Sequence, residues 1–273
     1  MLLGLLLVVA NAAVDSPDVN DLVRKAIDRE VRHRRQLANY TWQERIVERD
    51  DDVKKKVQTR VYEHFNIDGT SYRKLLEKDG KALTAAEARK EREKMDKEMA
   101  RRRNESESQR KKRIEAERKE LDEAIKFREE VMKAFTFRIE GEEKVNGYNA
   151  WRIAGDPRTD FVAKSREGKV LSKIRGRIWV EKVSNEWLKF DVVTLEKITF
   201  GGFIATIAPG AMIAAQQMRV NEELWHPEWM RVRLNARALW KKLNAEIEQT
   251  YQGFRKFQAE SRILEVSEVE KKP

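Results

Sequence analysis

The chain has 273 residues, a net charge of +10 and no cysteine. The missing cysteine excludes disulfides, zinc thiolates, cysteine nucleophiles and a lipidated cysteine anchor. Forty per cent of residues are apolar and 38% are charged; that balance permits a core with large solvated faces, and the basic excess favours anionic partners.

In chain order, the first element has the grammar of a leader. Residues 2–10 are apolar, too few to span a bilayer, and Ala10-Asn11-Ala12 supplies the small residues a signal peptidase reads. A signal peptide over 1–12, cleavage near Ala12/Ala13 and a periplasmic mature chain are expected. No Lys or Arg precedes the run, and a buried N-terminal strand is the alternative. Ser16-Pro17-Asp18 is a helix start, with serine as N-cap and proline in the first turn. Val19, Leu22, Val23, Ala26, Ile27 and Val31 then recur at three and four, predicting an amphipathic helix to about Ala38.

The period changes to two at Asn39. Tyr40, Trp42 and Ile46 alternate with polar residues. Val57, Thr59, Val61 and Phe65 do so again after the acidic turn at 50–52. A third strand over 71–77 lies between the turns at 68–69 and 79–80. Residues 84–134 then lack glycine and proline and are dense in both charges. Thr84/Glu87 and Ser106/Gln109 have capping-box spacing, so two helices meeting near 104–108 are predicted. Their apolar seams are thin: Ala88, Met95 and Met99 on one, Ile114, Leu121, Ile125 and Met132 on the other. The segment is a charged helical hairpin inserted between strands.

Strands resume at Phe135, with Phe137 and Ile139 on the same face. Asn146-Gly147 suits a type I′ hairpin turn, and Trp151 and Ile153 lie on the return strand. Ile174, Ile178 and Val180 share a face with Trp179 opposite. Leu188, Phe190 and Val192 alternate with Trp187, Asp191 and Val193. The stretch 200–218 carries no charge at all. Gly201-Gly202, Thr206, Pro209-Gly210 and Gln216-Gln217 argue against a bilayer helix. Pro209-Gly210 sits instead where a hairpin turn belongs, between 203–207 and 212–220. Both faces of these arms are apolar, so the second face needs a cover: the N-terminal helix, the inserted hairpin or a ligand. Ala205, Ala211, Ala214 and Ala215 leave room on that side. Residues 229–238 alternate cleanly. Residues 239–252 fit either a helix or a long twisted strand. A last strand over 254–263 precedes a charged tail, 264–273.

The motifs, in this order, resemble those of the periplasmic lipoprotein-carrier family, which includes the outer-membrane lipoprotein-sorting chaperone. They are Tyr40-Thr41-Trp42, the run from Asn66 to Arg73, Val145-Asn146-Gly147 through Trp151, Gly176-Arg177-Ile178-Trp179, Trp225-His226-Pro227, and Tyr251 through Phe257. The likeness spans most of 15–83 and 135–263, and the insertion 84–134 departs from it. It implies an α+β, mainly β fold. The sheet would be strongly curved and antiparallel, an unclosed half-barrel of about ten or eleven strands in one domain over 13–263. The N-terminal helix and the inserted hairpin are added to it. It also implies an apolar concavity for acyl chains or another hydrophobic partner. Trp42, Phe137, Trp151, Phe203, Ile207, Met212 and Met218 are the expected lining.

Catalysis is not expected. His33, His64 and His226 fall in three different elements with no metal-ligand spacing, and neither a nucleophile motif nor a phosphate cradle is present. No metal and no cofactor are expected. Arg101, Arg102, Arg103, Arg110, Lys111, Lys112 and Arg113 flank the hairpin tip and would dock on an anionic membrane surface, or form a solvated face balanced by neighbouring Glu. Nucleic acid is not an expected partner, because aromatics are not interleaved there. The expectation is therefore an exported, non-enzymatic protein that binds a lipid, acyl chain or lipidated polypeptide. The alternative is a protein-interaction or envelope-stress-sensing module that uses the helical arm.

Overall fold

A computed structural model of the chain describes residues 17–50, 56–67, 70–165, 168–200, 204–238 and 241–256. The leader over 1–12 with its cleavage point, Ser16, turn residues 51–52 and 68–69, Gly201, Gly202, Phe203, and the end of the chain from 257, including the tail 264–273, lie outside them. Three helices, α1 (Val19–Gln36), α2 (Ala85–Arg103) and α3 (Glu107–Ala134), accompany thirteen strands. The strands are β1 (Tyr40–Asp50), β2 (Lys56–Ile67), β3 (Thr70–Lys78), β4 (Lys81–Ala82), β5 (Phe135–Val145), β6 (Tyr148–Pro157), β7 (Ile174–Glu181), β8 (Trp187–Thr194), β9 (Ile198–Phe200), β10 (Ala205–Ile207), β11 (Met212–Arg219), β12 (Trp225–Ala238) and β13 (Lys241–Lys256).

All pairings are antiparallel. The main path runs β4-β3-β2-β1-β13-β12-β11-β8-β7-β6-β5, with β9 and β10 off it, and it does not close. From Lys241 the ambiguous segment 239–252 is a strand, β13, which pairs with β1 from Tyr40↔Lys256 to Asp50↔Ala245 and so brings the first and last strands together. Bulges interrupt five ladders, β1/β13, β2/β3, β5/β6, β7/β8 and β11/β12. Each adds a local bend, which curves the sheet around its helices.

Local chemistry sets the joints. Asn146 and Gly147 adopt the positive φ angles, 48° and 85°, that the β5–β6 turn requires. Both capping boxes of the hairpin form, at Thr84/Glu87 and Ser106/Gln109. Helix α1 starts later than the Ser16-Pro17 signal implies, because the extended Asp18 is the cap and its carboxylate accepts the Asn20 N–H at 2.9 Å. Leu22, Val23 and Ala26 then pack on Ile153, Val180, Trp187 and Ala215, which come from β6, β7, β8 and β11. His33 fixes the helix's other end. Its Nε2–H donates to the buried Glu186 at 3.0 Å, and its Nδ1 accepts the Trp225 N–H at 3.4 Å.

Two expectations about 200–218 are corrected. The turn at Pro209-Gly210 exists, but its arms do not pair with each other. Thr194 holds the corner: its hydroxyl donates to the Ala208 carbonyl and accepts the Ala211 N–H, both at 2.9 Å. β10 is therefore laid against β9 and the end of β12, while β11 runs between β8 and β12. Nor is the stretch covered on both faces. Ala215 and Gln217 are buried, but Ile204 is 59% exposed and Met212 and Ile213 are 41% and 42% exposed.

Candidate functional site

Helices α1 and α3 roof one face of the sheet and enclose a cavity of about 570 Å³. That volume lies within the roughly 300–1,000 Å³ typical of sites for one small ligand. From α1 come Val23, Ala26 and Ile27, and from α3 Phe127 and Val131. The sheet supplies Phe137, Ile174, Ile178, Phe190, Val192 and Met230. These are the successive inward positions of their strands, so the wall is nearly all hydrocarbon.

Two glycines open the floor. Gly155 and Gly176 face each other in register between β6 and β7. A Cβ on Gly155 would stand 3.1 Å from the Phe137 ring, and one on Gly176 3.2 Å from the Asp191 carbonyl oxygen. Their bare backbones let the Phe137 ring lie across Gly155 and β8 pack close against Gly176.

A bulge adds Trp187 to the lining. Trp179 pairs with Lys189 but Val180 pairs with Trp187, so Leu188 is the extra residue. Alternation alone puts Trp187 opposite Phe190. The bulge turns it to the cavity side, where their rings meet at 5.2 Å. Leu188 packs instead with Trp179 and Trp225 in a separate cluster. The Trp187 indole N–H donates to the Glu30 carboxylate at 2.8 Å.

Charge is confined to Glu30 and Arg34 of α1, Arg128 of α3 and Arg177 of β7. Arg34 and Phe127 are exposed, which marks the cavity's open side. Burial, reinforced by the charge of Arg34, pushes the Arg128 guanidinium below its ordinary value.

Of the residues expected at an apolar lining, the structure places Phe137 in this cavity. Trp42 lies in a second cluster with Tyr40 and Leu224, stacked on His64 at 4.9 Å. Trp151 is half-buried beneath the Lys182 ammonium at 3.9 Å. Ile207 pairs with Ile198 and Ala236, Met218 pairs with His226, and Met212 is exposed. On α3 the cavity is lined by Phe127 and Val131, which lie outside the seam of Ile114, Leu121, Ile125 and Met132 expected from the sequence.

The hairpin tip is similarly divided. Arg101 and Arg102 both bind Glu98 at 2.6 Å and hold its carboxyl down to about 2. Arg102 also donates to the Ile67 carbonyl at 3.3 Å. Arg113 binds Glu105 and the Thr70 hydroxyl, each at 2.9 Å. These two arginines tie the hairpin to the β2–β3 end of the sheet. Lys111 pairs with Glu107 at 3.1 Å. Arg103, Arg110 and Lys112 are exposed and make no ion pair among the described residues.

His64 and His226 both pack on the Trp42 ring, at 4.9 and 6.0 Å, while His33 lies in the last turn of α1. His64 bonds Glu44 at 2.8 Å, and His226 sits among Trp42, Tyr251 and Phe254, where burial lowers its pKa to about 4. Among the described residues no cluster of His, Asp and Glu could hold a metal ion, and no helix is long and apolar enough to cross a membrane.

No protein-family model matches the chain, and no curated protein matches it in sequence. Solved structures of similar fold exist. A DUF1329 family protein from Desulfovibrio piger is 12% identical, with 90% of this chain and 96% of that one covered and a TM-score of 0.37. An outer membrane lipoprotein-sorting protein domain from Vibrio parahaemolyticus is 9% identical, with the same coverage and a TM-score of 0.38. A LolA superfamily protein from Nitrosomonas europaea is 6% identical, with 89% and 95% covered and a TM-score of 0.34. At these scores the functional reading is carried by the cavity alone.

Proposed function

We propose that the chain is an exported, non-enzymatic binding protein of the periplasm that holds a lipid, acyl chain or lipidated polypeptide in the cavity between α1, α3 and the sheet. The observation that supports it is the lining itself: an apolar space with charge only on a few rim positions. Each methylene buried there contributes about 0.8 kcal/mol, so a chain of about ten supplies roughly 8 kcal/mol with few polar contacts. A fluorescent fatty acid titrated into the chain beginning at Ala13 should show saturable, one-site uptake. No uptake at micromolar probe would defeat the reading.

A second reading, docking through the helical arm on an anionic membrane, is favoured by one observation: Arg103, Arg110 and Lys112 are the tip cations without an ion pair among the described residues. Removing 84–134 would be a poor test, since Phe127 and Val131 leave with it. The triple charge reversal Arg103→Glu/Arg110→Glu/Lys112→Glu is cleaner. At about 1 kcal/mol per basic residue, it should weaken binding to anionic vesicles by more than tenfold while fatty-acid uptake persists. Unchanged vesicle binding would contradict the docking role.

A further inference from the structure

An apolar cavity leaves the ligand's polar end unspecified, but the rim residues narrow it. Glu30 is held by the Trp187 indole. Arg177 is held by Glu140 at 3.0 Å. Arg34 comes no nearer than 3.8 Å to Glu30. Arg128 makes no hydrogen bond or ion pair among the described residues, although it is half-buried, and it feels Asp28 and Glu30 of α1 only through their charge. Two guanidiniums from two helices therefore share one rim and repel one another; Arg34 has the long ion pair to Glu30, and Arg128 has none among the described residues. A guanidinium half out of water without a partner is costly, and its fork matches a carboxylate bidentately.

We infer that the cavity's ligand is a single-chain amphiphile with an anionic head, whose carboxylate bridges Arg34 and Arg128 while its chain fills the space lined by Phe137, Ile178 and Phe190. The inference rests on the acyl-cavity reading and adds its specificity: the two arginines select the acid over a neutral chain of the same length. The cavity's volume also fits one chain better than two.

The experiment compares two fluorescent probes that differ only at the head, a fatty acid and its primary amide, binding to the chain beginning at Ala13. The acid should bind roughly tenfold more tightly, the equivalent of one charge-assisted hydrogen bond, and the advantage should shrink as salt is added. In Arg34→Gln/Arg128→Gln the ratio of the two affinities should fall to about one. In Arg34→Lys/Arg128→Lys, which keeps the charge, the acid should still be preferred. Equal affinities in the wild type, a preference that survives the double Gln variant, or a preference lost in the double Lys variant would each overturn the inference while leaving the acyl cavity standing. Binding of neither probe to the wild type would overturn both.

Discussion

Val131→Phe/Val192→Phe should lower affinity for a fatty acid by about a hundredfold and leave the fold standing. The two valines line the cavity from opposite elements, α3 and β8. Each added ring enters space that a chain would occupy. Displacing three or four methylenes removes about 3 kcal/mol of burial, which is about two decades in Kd. Overpacking a filled core costs about 1–3 kcal/mol, but these rings enter a void, so the thermal midpoint should move little. Val183→Phe is the control, because that valine is 87% exposed on the β7–β8 turn; it should bind as the wild type does. A doubly filled variant with wild-type affinity would show that chains bind elsewhere.

The second large effect is on stability. His226 titrates at about 4 in the folded chain because it is buried among aromatic rings, against an ordinary 6.5. The unfolded chain therefore takes up the proton first as pH falls. Stability is fully present above pH 6.5, declines between about 6.5 and 4, and levels off below. At about 1.4 kcal/mol per unit, His226 alone should withdraw about 3 kcal/mol by pH 4. Urea unfolding of wild type and His226→Phe at pH 7 and pH 4 isolates this from the carboxylates, which both chains share. The variant should lose about 3 kcal/mol less than the wild type over that interval. Equal losses would mean that His226 is hydrated in the folded state.

Much of this architecture was legible in the sequence, for identifiable reasons. Period two placed Phe137, Ile178, Phe190 and Val192 on inward faces, and period 3.6 put Val23, Ala26 and Ile27 on one stripe of α1. Those seven residues make up much of the cavity. Three features were not legible. The pairing of Gly155 with Gly176 depends on register between strands, which no local pattern carries. The inward turn of Trp187 depends on a bulge of one residue at Leu188, and a single extra residue inverts alternation from that point. The roof from α3 was hidden because the helix is crowded with charge and its legible apolar seam, Ile114, Leu121, Ile125 and Met132, does not include Phe127 and Val131, the two residues that line the cavity. The stretch 200–218 gave the opposite error. Its lack of charge implied burial on both faces, yet the Thr194 corner leaves Met212 and Ile213 in solvent. Absence of charge is thus weaker evidence for burial than periodicity is.

The tip of the helical hairpin shows the same limit for charge. Seven cations in sequence suggested one docking surface, but Arg102 and Arg113 turn inward to the Ile67 carbonyl and the Thr70 hydroxyl. What a basic cluster does depends on which members find partners in the fold, and that is decided by the strand end against which the hairpin rests.

The central claim is that the cavity between α1, α3 and the sheet holds an acyl chain. Native mass spectrometry of the protein purified from the periplasm, with organic extraction of the same sample, tests it most directly. The expected result is a bound species of lipid mass at one per chain, recovered in the organic phase and absent from Val131→Phe/Val192→Phe. A wild-type protein that carries no lipid and takes up none when a fatty acid is supplied would contradict it.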